Sequence, residues 1–238
     1  VWLVNARYVK RVPGRPKTDR LDCEWIQRLH CYGLLRRSFR PSGDICAVRS
    51  LWRYRDTLIE QYSRTVQQIQ SNLHQMNVLL YKVVSDITGK TGMAIMQAIV
   101  TGERDPERLA DLRDNRIKAG TAQIVEALRG DYRDEHVEIL RMALDHLRFV
   151  RQSICQLDES IEKRLHRLPA NHTDIPQSDL LGSKIKRNTH QHAPCFDATH
   201  LVQSLYGVPL GEIPGMGPTV LTGLLAELRG KGKDILAA

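Results

Sequence analysis

The longest regular feature of the sequence is a stripe of apolar residues that begins just after Asp44. Its members recur at alternating spacings of three and four residues, and only Arg55 interrupts them with a charge: Ile45, Val48, Trp52, Ile59, Tyr62, Val66, Ile69, Leu73, Met76, Leu80 and Val83. This spacing is typical of the seam of a coiled-coil helix, here roughly 60 Å long at ~1.5 Å per residue. One helix cannot bury such a seam alone, so the pattern also predicts a partner.

A second apolar stripe with the same spacing supplies that partner. It runs through Leu140, Leu144, Leu147, Val150, Ile154, Leu157, Ile161, Leu165 and Leu168. Glycines between the two stripes indicate short helices and turns at about 91–130. We therefore predict that residues 44–168 form an antiparallel helical hairpin with small helices at its tip. The two stripes pack on each other, on a second subunit, or on both.

Shorter elements precede the hairpin. Residues 2–9 are rich in apolar residues and predict a strand, and residues 10–17 form a basic loop. Thr18 can cap a helix, which we place at 19–32. A break at Pro41-Ser42-Gly43 separates this N-terminal part from the long stripe.

The periodicity is lost after the second stripe. Residues 169–195 carry several prolines and indicate a linker, and residues 196–238 form a compact piece with helices over 196–206 and 218–228. The patterns thus divide the chain into four domains, with boundaries at 1–43, 44–168, 169–195 and 196–238.

Composition restricts the class of protein. The chain has 238 residues, of which 42% are hydrophobic, enough for a folded core. No apolar run approaches the ~20 residues needed to cross a bilayer, so we expect a cytoplasmic protein with no membrane partner. The five cysteines are scattered, which suits a reducing compartment. His190, His192, Cys195 and His200 lie close in sequence but match no zinc-finger spacing, and we expect the histidines to lie at the surface.

The positive charge is concentrated at the N-terminus. The net charge is +8, and residues 1–55 hold 13 Lys and Arg against 4 Asp and Glu. A local basic field favours a polyanion, most simply nucleic acid, over the alternative of a solvated surface. The candidate nucleic-acid contacts are Arg7, Lys10, Arg11, Arg15, Lys17, Arg36, Arg37 and Arg40.

Two carboxylates lie within this basic region. Asp19 and Asp22 are three residues apart, which places both on one face of the first turn of the predicted helix. Mg²⁺ would relieve their repulsion, since it prefers a few carboxylate oxygens together with phosphate oxygens. The alternative is that both carboxylates only favour the positive end of the helix dipole.

A glycine-rich turn at 213–218 leads into the last predicted helix. Gly215 and Gly217 would let backbone N–H groups approach a phosphate, with the helix N-terminus behind them. This is the pattern of a helix-hairpin-helix module, which grips the DNA backbone without reading sequence. An ordinary turn between two helices is the alternative.

Several of these segments together resemble the DEDD transposases of bacterial insertion sequences, the bridge-RNA-guided recombinases. The matching segments are Asn5-Ala6-Arg7-Tyr8-Val9-Lys10, Pro13-Gly14, Lys17-Thr18-Asp19 with Asp22, Tyr32-Gly33-Leu34-Leu35-Arg36, Ser38-Phe39-Arg40-Pro41, Met76-Asn77, Ser85-Asp86-Ile87-Thr88-Gly89, Gly102-Glu103-Arg104-Asp105-Pro106, Ile213-Pro214-Gly215-Met216-Gly217 and Leu224-Leu225-Ala226-Glu227-Leu228.

The resemblance implies an RNase H-like N-terminal domain of the resolvase type, in which four acidic residues bind Mg²⁺. Asp19 and Asp22 would be the third and fourth of the set, with catalytic and metal-binding roles. The first two would lie upstream of Val1, and the nucleophilic serine of a C-terminal transposase domain would lie downstream of Ala238. We therefore expect an incomplete chain that is inactive alone, and the sequence leaves open whether it is an enzyme.

The combined prediction is a mainly α protein: a remnant of an RNase H-like α/β domain, a long antiparallel coiled-coil hairpin, and a small helix-hairpin-helix-like piece. The resemblance implies a nucleoid-associated transposase that cuts and rejoins DNA, with DNA, a structured guide RNA and further copies of the chain, as a dimer or tetramer, as partners. The alternative function is a non-enzymatic coiled-coil protein that binds nucleic acid and oligomerises.

Overall fold

The computed structural model describes residues 3–6, 9, 19–35, 37–38, 43–168, 192–207 and 210–228, and within these ranges the protein is mainly helical. The helices are α1 (Asp19–Cys31), α2 (Gly43–Gln75), α3 (Leu80–Val83), α4 (Lys90–Val100), α5 (Pro106–Asp111), α6 (Thr121–Ala127), α7 (Asp134–Leu165), α8 (Ala198–Tyr206) and α9 (Pro218–Leu228), with a 3-10 helix at Leu210–Glu212.

The described residues fall into two compact units. The first takes its residues from Val1–Ser50, Arg164–Thr189 and Asp197–Ala238, and the second from Leu51–Lys163 and His190–Phe196. None of the described helices is both long and apolar enough to span a membrane.

The N-terminal strand predicted at 2–9 is wrong for the residues that the structure describes. Val4 makes one isolated antiparallel bridge with Arg37, while Ala6 and Val9 are helical. A short apolar run fits a strand or a helix equally well, and tertiary packing decides between them. Here Val9 is buried in a small cluster with Leu29 and Leu35, and its backbone is helical rather than extended.

The predicted helix at 19–32 is present as α1, and its end has a clear cause. Gly33 has φ 68°, the left-handed region that stops a helix. The N–H of Leu34 donates to the carbonyl of Leu29 at 3.0 Å, and the N–H of Gly33 donates to that of His30 at 3.1 Å. This pair of bonds is the Schellman arrangement, which satisfies the last carbonyls of the helix.

The long helix α2 ends earlier than the apolar stripe predicts. Asn77 has φ 56°, and the N–H groups of Val78 and Asn77 donate to the carbonyls of Leu73 and His74 at 2.8 and 2.9 Å. The chain therefore turns away after Gln75, and Leu80 belongs to the separate short helix α3. Leu80 is still buried, so the apolar spacing is preserved although the helix is not continuous.

Helices α2 and α7 run antiparallel in the second unit, as two contacts show. Near one end, the Asn72 side chain donates to the carbonyl of His136 at 2.8 Å, and near the other end Arg55 bonds Asp158. One hydrophobic cluster takes buried residues from both helices: Leu58, Tyr62, Ile69, Leu73, Val137, Leu140, Leu144, Leu147 and Val150. Much of the two predicted stripes therefore packs within one chain.

The short helices α4, α5 and α6 add to the same cluster through Ile95, Leu109 and Ile124. Close backbone approach at the start of α4 needs a glycine, because a Cβ atom on Gly92 would lie 2.1 Å from the carbonyl oxygen of Ile87. These helices complete the core at the end of the α2–α7 pair where Asn72 lies.

Candidate functional site

The two aspartates predicted to bind metal begin helix α1. The helix starts at Asp19, and Asp22 follows one turn later, which is the spacing on which the metal prediction depends. The Asp22 side chain is half-buried, and the side chain of Asp19 lies outside the part that the structure describes. Leu29, buried at the far end of α1, anchors the helix that carries the pair.

Two carboxylates are a donor set of the kind that Mg²⁺ accepts as two of its ligands. Among the described residues, no group of three or more His, Cys, Asp or Glu side chains could hold a metal ion. Mg²⁺ does not need such a cage, because it commonly binds one or two carboxylates and completes its shell with water and substrate phosphate. Two carboxylates at the start of one helix are compatible with that mode.

Of the eight basic residues predicted to contact nucleic acid, only Arg37 falls within the described residues. Its side chain is exposed, and its backbone forms the bridge to Val4. The N–H of Ser38 also donates to the carbonyl of Leu3 at 2.7 Å, so this segment lies along residues 3–4. The other seven lie outside the described residues: Arg7, Lys10, Arg11, Arg15, Lys17, Arg36 and Arg40.

The C-terminal pair of helices forms around the predicted glycine-rich turn. Helix α8 is capped by Asp197, whose carboxylate accepts the N–H of His200 at 3.0 Å, and ends at Gly207 with φ 72°. Helix α9 packs against α8 and buries Leu221 and Leu225. The two helices thus form a helical hairpin in the first unit.

The turn itself presents backbone to solvent. The N–H of Met216 donates to the carbonyl of Ile213 at 3.0 Å, and Gly215 has φ 87° after Pro214, which is typical of a type II turn. Gly215 is exposed, with no atom within 4 Å of the place where a Cβ would stand. Gly217 is half-buried and precedes α9, whose first N–H groups have no partner within the helix. The arrangement suits the approach of an anion.

Arg49 fixes the far end of this helical hairpin in the first unit. Its guanidinium donates to the carbonyls of Ala226 and Glu227 at 3.2 and 2.7 Å and pairs with the Glu227 carboxylate at 3.0 Å. A cation at the last carbonyls of α9 also complements the helix dipole. No local pattern predicts this contact, because 177 residues separate Arg49 from Ala226.

A buried polar cluster lies in the second unit, and the sequence pattern indicates only one of its two charged members. Arg55, the one charge in the first stripe, is fully buried and bonds Asp158 at 2.5 and 3.2 Å. Arg55 also donates to the carbonyl of His192 at 3.1 Å and lies over the Trp52 ring at 5.0 Å. Burial, together with the positive charge of Arg55, lowers the pKa of His192. Asp158 lies within the second stripe, one position after Leu157, where the spacing predicts no buried charge.

Comparison with known proteins assigns the N-terminal part of the chain. Residues 1–78 match the family model DEDD_Tnp_IS110, which is described as a transposase. No match was found among curated proteins or among solved structures. The matched stretch contains Asp19, Asp22, the basic N-terminal region and the whole of α2. The match confirms, over these 78 residues, the resemblance to the IS110-type DEDD transposase family that the sequence indicates.

Proposed function

We propose that the chain acts in an insertion-sequence transposase that binds DNA, cuts its strands and rejoins them. One observation carries the proposal: the family match over residues 1–78 covers both the acidic pair and the basic region. Asp19 and Asp22 begin one helix there. They lie in a stretch, residues 1–55, that holds 13 basic and 4 acidic residues. A site for phosphate chemistry needs both features.

In this proposal Asp19 and Asp22 hold Mg²⁺ in an RNase H-like domain. When bound, the ion supplies positive charge and Lewis acidity at a phosphate oxygen. The chain's own part is to place two carboxylates one turn apart, on a helix whose end is closed by Gly33 and whose face packs on Leu35. The basic residues around them position the DNA backbone, and a serine nucleophile completes the reaction.

The C-terminal helical hairpin makes a second contact with the DNA backbone. The exposed type II turn at Gly215 and the N-terminus of α9 offer N–H groups to a phosphate, without contact to the bases. In the proposed domain order, residues 1–43 belong to the resolvase-like domain, 44–168 to a coiled-coil domain, 169–195 to a linker and 196–238 to the start of the transposase domain.

The proposed assembly contains a structured guide RNA and further copies of the chain. Oligomerisation through the coiled-coil domain is supported by an apolar face on α7 that the chain itself leaves exposed. Ile139, Met142 and Phe149 are 50, 63 and 66% exposed and share one side of the helix. A dimer or tetramer would cover this face, since apolar side chains grouped on one side of a helix are typical of an interaction surface.

A plasmid recombination assay in the intact transposase tests the catalytic part. Asp22→Asn should abolish recombination, whereas Asp44→Asn, a matched loss of charge in the first turn of α2, should leave it intact. Both variants should bind DNA as well as the parent protein. Recombination by Asp22→Asn at the parental rate would rule out the proposed role of the acidic pair.

The alternative is a protein that binds nucleic acid and oligomerises without catalysis. The exposed Gly215 turn favours it, because that contact needs no reaction. Absence of recombination by the intact parent protein, together with DNA binding that weakens steeply as salt rises, would select this alternative. Binding that does not respond to salt would contradict phosphate contact in both proposals. The expectation that this chain is inactive alone stays a prediction.

A further inference from the structure

Two cysteines from distant parts of the chain lie side by side in the second unit. Cys155 is on α7, and Cys195 lies in the segment 192–196, which precedes α8. Their Sγ atoms are 3.5 Å apart and both thiols are free. We propose that Cys155 and Cys195 form a thiol–disulfide exchange site, an oxidisable dithiol whose closed form ties residues 192–196 covalently to α7.

The buried ion pair holds the two cysteines together without help from the thiols. Asp158, one turn beyond Cys155, accepts the backbone N–H of Cys195 at 3.0 Å. Arg55 bonds both Asp158 and the carbonyl of His192, so the polypeptide on either side of Ala193 is fixed to the helices. These contacts set the position of Cys195 before any oxidation takes place.

Packing at the start of the segment adds a further restraint. The His192 ring meets the Tyr62 ring edge to face, with centroids 5.7 Å apart and planes at 82°. A disulfide bond requires an S–S distance of about 2.05 Å, so the sulfurs have to approach by only about 1.5 Å. We propose that rotation of the two side chains supplies this movement while Arg55 and Asp158 hold the backbone.

Solvent reaches the pair. Cys195 is exposed and Cys155 is half-buried, so a small oxidant can approach either sulfur. The other three cysteines, Cys23, Cys31 and Cys46, belong to the first unit and are not in disulfide bonds. They serve as internal controls, because a general oxidation of the chain would affect them too.

The reaction we propose uses a low-molecular-weight disulfide as the oxidant. The Cys155 thiolate attacks one sulfur of that disulfide, whose S–S bond breaks and releases one small thiol carrying the proton that Cys155 gave up. The Cys195 thiolate then attacks the Cys155 sulfur of the mixed disulfide, and the second small thiol leaves with the Cys195 proton. Two protein thiols are oxidised, and one small disulfide is reduced to two thiols.

The surroundings of Cys195 set the order of these steps. Burial, together with the hydrogen bond and charge of Cys155 and then those of Asp158, raises the pKa of Cys195 to about 12. Cys195 therefore keeps its proton at neutral pH, and Cys155 makes the first attack.

Disulfide mapping of the full chain tests the proposal. The reduced protein is equilibrated at pH 8 with buffers of increasing ratio of oxidised to reduced glutathione, its free thiols are alkylated, and its peptides are analysed by mass spectrometry. We expect a cross-linked peptide joining Cys155 to Cys195, about 2 Da lighter than the two reduced peptides. Cys23, Cys31 and Cys46 should be alkylated in the same sample.

A denatured control separates a built site from chance pairing. In guanidinium, the Cys155–Cys195 link should need a ratio of oxidised to reduced glutathione at least about tenfold higher than in the native chain. The proposal is overturned if the link forms equally well in both states, if either cysteine pairs with Cys23, Cys31 or Cys46 instead, or if the native protein gives only glutathione adducts. A variant with Ser in place of Cys23, Cys31 and Cys46 should form the same disulfide between Cys155 and Cys195.

Discussion

Arg55 and Asp158 form a two-point ion pair from which water is excluded. The guanidinium and the carboxylate meet at 2.5 and 3.2 Å, and both side chains have 0% exposure. Asp158 also accepts the Cys195 N–H, but the Nη1 atom of Arg55 has no partner in the part of the chain that the structure describes. Each charge therefore depends on the other for its solvation.

Removing one member of this pair should destabilise the protein strongly. Arg55→Ala or Asp158→Ala leaves a buried charge without a partner, and we expect a loss of about 3–5 kcal/mol in the free energy of unfolding. The double variant Arg55→Met with Asp158→Leu should recover most of that loss, because neither charge is then buried. Equilibrium denaturation in urea measures all three.

The matched control is the exposed pair Glu60 and Arg64 on the same helix α2, whose side chains are 70 and 75% exposed. Arg64→Ala should change the free energy of unfolding by less than about 0.5 kcal/mol. A similar small effect of Arg55→Ala would mean that water reaches the buried pair.

The stop of helix α2 at Asn77 predicts opposite effects of two substitutions. Asn77 is exposed with φ 56°, so its replacement acts through the backbone. Asn77→Ala should cost about 1–2 kcal/mol, since a Cβ disfavours the left-handed region, while Asn77→Gly should be neutral or stabilising. Thermal melts of the two variants give the comparison, and equal melting temperatures would contradict the role of the Asn77 conformation.

The sequence predicts helices better than it predicts where they bend and what they bury. The long stripes identify α2 and α7, because an apolar spacing of three and four residues encodes one helix face. The apolar spacing continues past Asn77, where the helix ends, because Leu80 is buried even though it belongs to the next helix. Arg55 appears in the sequence as a mere break in the stripe, because its partner Asp158 is more than a hundred residues away. Residue spacing is local, whereas the pairing of buried charges is set by tertiary packing.

The candidate site shows the same division. The start of α1 at Asp19 follows from the N-cap pattern of the sequence, and the structure agrees. The exposed turn at Gly215 also follows from its Pro-Gly dipeptide. The contact of Arg49 with the end of α9 does not, because nothing in the local sequence specifies which distant carbonyls a cation will meet.

Gly92 should tolerate no side chain. An added Cβ would lie 2.1 Å from the carbonyl oxygen of Ile87 and 2.6 Å from its carbon, both rigid backbone atoms. Gly92→Ala should therefore cost more than about 2 kcal/mol in urea denaturation. Gly43→Ala is the control, as its Cβ would meet no atom within 4 Å, and it should not destabilise. Equal stability of the two variants would refute the close contact at α4.

Stability should fall at alkaline pH through Tyr132. Burial raises the pKa of Tyr132 from 10.0 to about 12, with a smaller opposing effect of Arg104. A pKa raised by folding stabilises the protein below pH 10, and this stabilisation is lost as the pH rises through 12. Tyr132→Phe has no hydroxyl to ionise, so its free energy of unfolding should fall less steeply over that range. Parallel slopes for the two proteins would show that Tyr132 ionises equally easily in the unfolded chain.

The exposed face of α7 should control association between copies of the chain. Met142 and Phe149 are seven residues apart, which puts them on one side of the helix, away from the buried Leu140 and Leu144. Met142→Glu with Phe149→Glu should weaken self-association at least about tenfold in sedimentation equilibrium, because burying two carboxylates against a partner helix is costly.

The control introduces the same two charges on another helix. Gln67→Glu with Gln70→Glu changes exposed positions of α2 and should leave self-association unchanged. Both double variants should keep the far-ultraviolet circular dichroism of the parent, because all four positions are exposed and glutamate is a good helix former. If the α7 variant associates as tightly as the α2 variant, the copies meet through another surface. A parent chain that sediments as a monomer at every concentration would show that the face on α7 does not join copies of the chain.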